Sequence, residues 1–221
     1  MAAGKHMMRH DLNDPTKDDP TEVNDPAEKR ITHRWAIWRD GFTGEELTGI
    51  EAHCNSTGLE PAGMLGGNDE SRGRRSGVRF HKPDGLNAWF FKKLNGVVDA
   101  LNAQFYGFDL NGYAHFQYTV YSGEVGGFYD WHMDLILGDQ YAHFNEETRK
   151  LSLSLLLSEP DVDFTGGEFL INDGRQDTPL TIPLRKGEVA AFPSWMIHKV
   201  APVTWGTRKS IVVWVLGPTF R

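Results

Sequence analysis

The segment Tyr129-Asp-Trp-His132-Met-Asp134 carries the only His-x-Asp of a 221-residue chain. On an extended backbone, positions i and i+2 point to the same side, so the imidazole and the carboxylate can reach one ion. Imidazole with carboxylate, and coordination positions left open, suits a non-haem iron(II) centre. Alone the tripeptide says little, because nine histidines among many aspartates supply about one by chance. The C-terminal part of the chain adds to it. There Phe192-Pro-Ser-Trp195 leads to His198, then Ala201-Pro-Val203, a turn through Gly206, and Arg208. A hairpin of two neighbouring strands would bring His198 and Arg208 to one mouth. His198 would complete a three-ligand set with His132 and Asp134. Arg208 offers a planar fork that binds a carboxylate bidentately. Along the last strand Arg208, Ser210, Val212 and Trp214 share one face, and Lys209, Ile211, Val213 and Val215 the other. Arg208 and Ser210 therefore point together, and Lys209 points away.

The elements that must position these residues are legible in outline. A strand-like stretch lies around Arg34–Trp38, and Thr43-Gly-Glu-Glu46 is a capping box that starts a short helix carrying Leu47 and Ile50. Pro61 to Gly77 reads as a Gly- and Arg-rich loop, followed by a strand at Val78-Arg-Phe80. Phe90, Leu94, Val97, Leu101 and Phe105 form one face of a helix capped by Asn87 and stopped by Gly107. Strands are expected at 114–121, 150–157, 167–171, 180–184, 188–192, 197–201 and 209–216. Leu151-Ser-Leu-Ser-Leu155 alternates as a half-buried strand does. Helices followed by seven or eight strands predict an α+β protein, a jelly-roll barrel buttressed by N-terminal helices.

Composition excludes little but narrows the class. Hydrophobic residues make up 39% and charged residues 24%, as in a globular domain. The formal charge of −7 argues against a broad nucleic-acid surface. Cys54 is the only cysteine, so no intrachain disulfide can form, and a cytoplasmic location is expected. No stretch has spanning length, so no membrane partner is expected. Residues 1–30, rich in Asp, Pro, Lys and Glu, read as an arm or tail preceding a domain at 31–221.

With these motifs the sequence resembles the 2-oxoglutarate/iron(II) dioxygenases, and within them it is most similar to the prolyl-4-hydroxylase-type branch. Besides His-x-Asp, the distal His and the Arg ten residues on, the matches are Arg75-Ser76-Gly-Val-Arg-Phe80, Tyr118-Thr-Val-Tyr121 through Phe128-Tyr129, Thr165-Gly-Gly-Glu168-Phe, and Pro193-Ser-Trp195. They span roughly residues 75–216. The resemblance implies a double-stranded β-helix, iron(II) on His132, Asp134 and His198, and the distal carboxylate of 2-oxoglutarate on Arg208, with Tyr121 and Ser210 in the same pocket. It implies hydroxylation of a C–H bond with release of succinate and CO2, ascorbate serving as reductant. A carboxylate at Asp134 fits hydroxylation rather than halogenation. Two features are this chain's own: many of that branch carry lysine where Arg208 stands, and Leu135–Arg149 reads as an insertion.

The expected substrate is a prolyl residue of a peptide or protein. Tyr129, Trp131 and Trp195, beside the ligands in sequence, could stack on its ring, and Arg75 could contact the chain. The Pro61–Gly77 loop would close over it. A free amino acid or small molecule is the alternative substrate. A cupin-like isomerase or lyase is the alternative chemistry, and it would need no carboxylate-binding Arg208. A jelly-roll module with a structural metal is the non-enzymatic reading, but structural sites are closed whereas three ligands leave one open. His81, His115 and His143 are read as ordinary histidines. Metal is expected to bind better above about pH 6.5, where both histidine ligands would be neutral.

Overall fold

Thr43 forms the capping box that its neighbours predict. Its hydroxyl accepts from the Glu46 amide at 3.2 Å, and its own amide donates to the Glu46 carboxylate at 2.7 Å. Helix α1 follows as Gly44–Asn55 and buries Leu47, Ile50 and Cys54. The computed structural model describes residues 34–62, 73–135, 147–172, 174 and 178–219. The arm at 1–30, His143, and most of the expected lid and insertion lie outside them.

Helix α2, Ala88–Leu101, buries the face formed by Phe90, Leu94, Val97 and Leu101. It does not simply run on to Gly107. A π-helical turn at Asn102–Tyr106 intervenes, and Gly107 closes it in the left-handed region at φ 60°. The wider turn seats Phe105 and Tyr106 in the core, and the Tyr106 hydroxyl donates to the Ala191 carbonyl at 2.7 Å. Asn87 does stand at the N-cap, but its side chain does not bond into the first turn. Its amide oxygen accepts from the Asp84 amide, and its NH2 donates to the Lys82 carbonyl, so it braces the preceding loop instead.

The strands in chain order are β1 (Ala36–Trp38), β2 (Glu60–Pro61), β3 (Arg74–Arg75), β4 (Gly77–His81), β5 (Phe116–Ser122), β6 (Phe128–His132) and β7 (Glu147–Leu156). They continue as β8 (Phe164–Gly166), β9 (Phe169–Asn172), β10 (Leu180–Ile182), β11 (Val189–Pro193), β12 (Ile197–Val200) and β13 (Val203–Pro218). Both ends of the supposed Pro61–Gly77 loop are thus strand. One sheet has the order β1-β11-β7-β13-β5-β4-β2, with β8 added against β13. The smaller sheet runs β10-β9-β12-β6-β3. Two facing antiparallel sheets with helices against the larger one are the α+β, double-stranded β-helix arrangement.

The alternation of β7 explains the layering. Leu151, Leu153 and Leu155 pack toward α2 with Phe116, Ile211 and Val213. Ser152 and Ser154 face the other way, yet both are buried. The strand is therefore buried on both faces, because its polar side lines the space between the sheets rather than facing solvent. Leu156, Phe169, Ile171, Phe192 and Val203 close that inner layer. Leu94 is 1% exposed at the helix–sheet contact. Leu94→Ala is expected to cost about 2–5 kcal/mol, measurable by urea denaturation, through lost transfer energy and the cavity left behind.

The hairpin expected between His198 and Arg208 does not form. β12 pairs with β9 and β6 in the smaller sheet, whereas β13 pairs with β7, β5 and β8 in the larger. The chain crosses from one sheet to the other between them. His198 and Arg208 meet across the barrel, not across a turn.

Candidate metal and co-substrate site

His132 and His198 are directly opposed partners on the neighbouring strands β6 and β12. Their imidazoles lie 4.1 Å apart between centroids. In each ring Nδ1–H donates to a backbone carbonyl, that of Asp130 at 2.7 Å for His132 and that of Met196 at 2.9 Å for His198. Such bonds fix the tautomer and leave each Nε2 lone pair free to ligate. Both Nε2 atoms face the Asp134 carboxylate, at 3.8 Å and 3.5 Å. One ligand atom from each of the three residues lies within 4.8 Å of the others. Two neutral nitrogens and one carboxylate oxygen, converging without a fourth protein ligand among the described residues, fit an open divalent-metal site of the non-haem iron type.

Asp134 follows β6 and is held by the other sheet. Its amide and that of Leu135 donate to the Ser194 carbonyl at 3.0 and 2.8 Å. The Ser152 hydroxyl donates to Asp134 Oδ2 at 2.7 Å and lies 2.9 Å from the Ser194 hydroxyl. Burial pushes the Asp134 carboxyl up. His198, His132, Arg149 and the Ser152 bond outweigh it, and the group ends below the usual carboxylate range. Ser152→Ala is expected to weaken metal binding by about 10–100-fold, the usual cost of losing a partner that orients a ligand. Calorimetric titration with manganese(II) measures it, and Ser152→Thr should restore affinity.

Burial, and then the neighbouring His198, push His132 down from 6.5 to about 3, against the opposing pull of Asp134 and the Asp130 carbonyl. The unfolded chain takes a proton near 6.5 that the folded chain refuses until about 3. This group therefore takes nothing from the metal-free protein's stability above that upper value, and stability falls progressively as pH drops below it. Thermal melts in chelator across this range should show the loss. It also revises the expectation for metal binding: His132 needs no alkaline shift, since it is already neutral well below pH 6.5.

His132, Asp134, His198, Tyr121, Tyr129, Arg208 and Ser210 line one cavity, together with Arg74, Gln117, Val212 and Trp214. The inward face of β13 is the one its alternation predicts. Arg208 is 2% exposed and lies near Ser210, Nη1 to Oγ being 3.3 Å. Its guanidinium carbon sits 5.6 Å from the Tyr121 ring centroid, and Nε has no partner among the described residues. Burial lowers its pKa, but a guanidinium stays charged. A buried cation with a spare donor at the inner wall is a receptor for an anion. Gly167 makes room for it: its φ is 66°, and a Cβ there would lie 3.0 Å from Arg208 Cδ. Lys209 faces away and pairs with Glu51 of α1 at 2.7 Å.

Trp131, Trp195 and Arg75 do not enter this cavity. A register shift in the β6–β12 pairing sets Tyr129 opposite Val200 and His132 opposite His198, so three steps on β6 match two on β12. That bulge brings Tyr129 and His132 to one side, their rings stacked at 3.5 Å, and turns Trp131 outward under Lys199. Arg75 donates to the Val125 carbonyl on the outer side of β3, while Arg74 turns inward over Tyr129. Trp195 packs edge-on against Phe108. His81 and His115 contact aromatic rings, as ordinary histidines do.

The sequence does not single out three groups here, Arg74 and Trp214 in this cavity and Arg149, which borders Trp214 and Asp134 from outside its lining. Arg74 was lost in an arginine-rich loop, although strand alternation separates it from Arg75. Trp214 was placed on the correct face, but its buried Nε1–H has no partner. Arg149 lies with its guanidinium 4.0 Å from the Trp214 ring, and nothing in its local sequence marks it.

Residues 116–216, the span that carries all three clustered ligands and Arg208, match the 2OG-Fe(II) oxygenase superfamily. Over that span the chain is similar to the members of that superfamily. Among related oxygenases, the PKHD-type hydroxylase PiuC of Pseudomonas aeruginosa is 33% identical over 99 residues, 44% of this chain and 41% of its own. The chain thus spans about two-fifths of the length of that curated relative. A Pseudomonas putida prolyl-4-hydroxylase has the same fold, with a TM-score of 0.64 and 21% identity over 83% of this chain and 92% of that one. A prolyl hydroxylase from Trichoplax adhaerens, solved with a hypoxia-inducible-factor peptide, gives 0.68 and 15% over 84% of each chain. No helix among the described residues is long and apolar enough to cross a membrane.

Proposed function

We propose that the protein is an iron(II)- and 2-oxoglutarate-dependent oxygenase that hydroxylates a prolyl residue of a peptide or protein, releasing succinate and CO2. The observation that carries this reading is one cavity with the three converging side chains on its wall and, within it, the buried guanidinium of Arg208, whose Nε has no partner among the described residues. A cupin-like isomerase or lyase would have no use for that buried cation. His132, Asp134 and His198 would hold the metal, which when bound supplies the redox chemistry that activates dioxygen. Arg208, with Ser210 and Tyr121 beside it, would take the distal carboxylate of 2-oxoglutarate and fix its orientation. Ser152 and Ser194 hold the Asp134 carboxylate in place. Tyr129, Trp214 and the two sheets wall the cavity and keep water from the reacting atoms.

The prolyl assignment is supported by the solved prolyl hydroxylases of the same fold and by the aromatic ring of Tyr129 beside the ligands. A peptide library incubated with protein, iron(II), 2-oxoglutarate and ascorbate tests it. Succinate should appear in step with the gain of one oxygen atom on proline. Oxygen gained only on other residues, or only on free amino acids, would remove the prolyl assignment and leave the oxygenase assignment intact.

A further inference from the structure

The chain carries a formal charge of −7, yet Arg74 and Arg208 line its metal-ligand cavity and Arg149 lies against Trp214 and Asp134 of that lining. On the proposed function, a divalent metal, Asp134, a dianionic co-substrate and Arg208 balance one another. Two guanidiniums remain. Arg74 is 6% exposed, spends Nε on the Ser76 hydroxyl at 2.9 Å, and lies 4.4 Å over the Tyr129 ring. Arg149, near the start of β7, lies 4.0 Å over the Trp214 ring and makes a long 3.5 Å approach to the Asp134 carbonyl. Neither is paired with a side-chain carboxylate among the described residues.

The two come from different sheets and converge on one place. Arg74 covers the Tyr129 ring, Arg149 borders Asp134 and Trp214, and both oppose the upward effect of burial on the Tyr129 phenol. Next to them Trp214 holds a buried Nε1–H without a partner. Desolvated cations left over after the metal and co-substrate are balanced are costly unless an anion joins them. Arg149 also borders a groove of about 670 Å³ with Phe80, Lys82, Pro83 and His115. The acid in that groove, Asp84, is engaged by the amides of Leu86 and Asn87.

We propose that the primary substrate presents a carboxylate to Arg74 and Arg149 beside Tyr129, so that the hydroxylated residue neighbours an acidic side chain or carries a free chain-terminal carboxylate. The inference rests on the oxygenase reading and narrows its substrate class to anionic ones.

Binding to the manganese(II)-loaded protein with 2-oxoglutarate, followed by calorimetry, tests it with two pairs of probes. The first pair is a capped proline peptide with flanking glutamates and its glutamine counterpart. The second is a proline-terminated peptide as free acid and as amide. In at least one pair the carboxylate form should bind at least about tenfold tighter. The pair that responds distinguishes the side-chain source from the terminal one. Arg74→Gln and Arg149→Gln should each bring the carboxylate form down to the affinity of its neutral counterpart, and Arg149→Lys should keep part of the preference. Equal behaviour within both pairs, absence of binding included, overturns the proposal, as does a preference that survives both glutamine substitutions. Failure of the parent protein to bind 2-oxoglutarate overturns the oxygenase reading instead.

Discussion

Replacing Arg208 with alanine is expected to weaken 2-oxoglutarate by about 2–5 kcal/mol, the range for truncating one partner of a buried charge pair. The argument is one of desolvation. The guanidinium is 2% exposed and has Ser210 and the Tyr121 ring for company, with no acid among the described residues paired to it. A carboxylate arriving there meets a donor that water does not screen. Without the arginine it would be buried unpaired. Lys209 supplies the control from the next position. Lys209→Ala should leave 2-oxoglutarate affinity unchanged and lower the melting temperature slightly, because that lysine ties β13 to Glu51 of α1. Anaerobic titration of 2-oxoglutarate into metal-loaded protein gives both answers. If the lysine variant lost affinity and the arginine variant kept it, the inward face of β13 would be misassigned.

A comparable effect is expected at the metal. His132→Ala or Asp134→Ala should each remove detectable iron(II) binding, since each deletes one of three converging ligands and the described residues offer no substitute. The two variants should differ in their metal-free stability. Asp134→Ala leaves the Ser152 hydroxyl without its acceptor and removes the carboxylate that both Nε2 atoms face, while His132→Ala removes a ring stacked on Tyr129. Circular dichroism separates unfolding from simple loss of binding. Parent-like iron affinity in both folded variants would dispose of the site.

How far the sequence reached depends on which physical rule each residue obeys. The inward face of β13 follows from strand alternation, which is local and strict, and Arg208 falls where that rule puts it, whereas Asp134 lies past the end of β6 and reaches His132 and His198 through its anchoring on Ser152 and Ser194. The capping box at Thr43 and the face of α2 are equally local. The errors arose where tertiary context overrides a local pattern. Ser152 and Ser154 look solvent-facing because polar residues on alternate positions usually are, but here they line an interior that needs hydroxyls to hold Asp134. A bulge between β6 and β12 leaves no mark on composition, so Trp131 was assigned inward when it points out. Two strands joined by a short connection suggest a hairpin, and only the sheet order shows that β12 and β13 belong to opposite walls. Arg149 matters because of Trp214 and Asp134, neither near it in sequence.

The docking of Asp134 onto Ser152 and Ser194 would make a bound metal a staple. His132 and His198 belong to the smaller sheet, and Asp134 is anchored on the larger, so an ion held by all three would bolt the walls together. Occupancy is then worth stability by mass action, about 2.7 kcal/mol when free metal exceeds its dissociation constant a hundredfold. In a cell that margin reads out as lifetime. Copies lacking metal open more often and reach proteases sooner, so the amount of this protein should follow the iron supply even at constant synthesis.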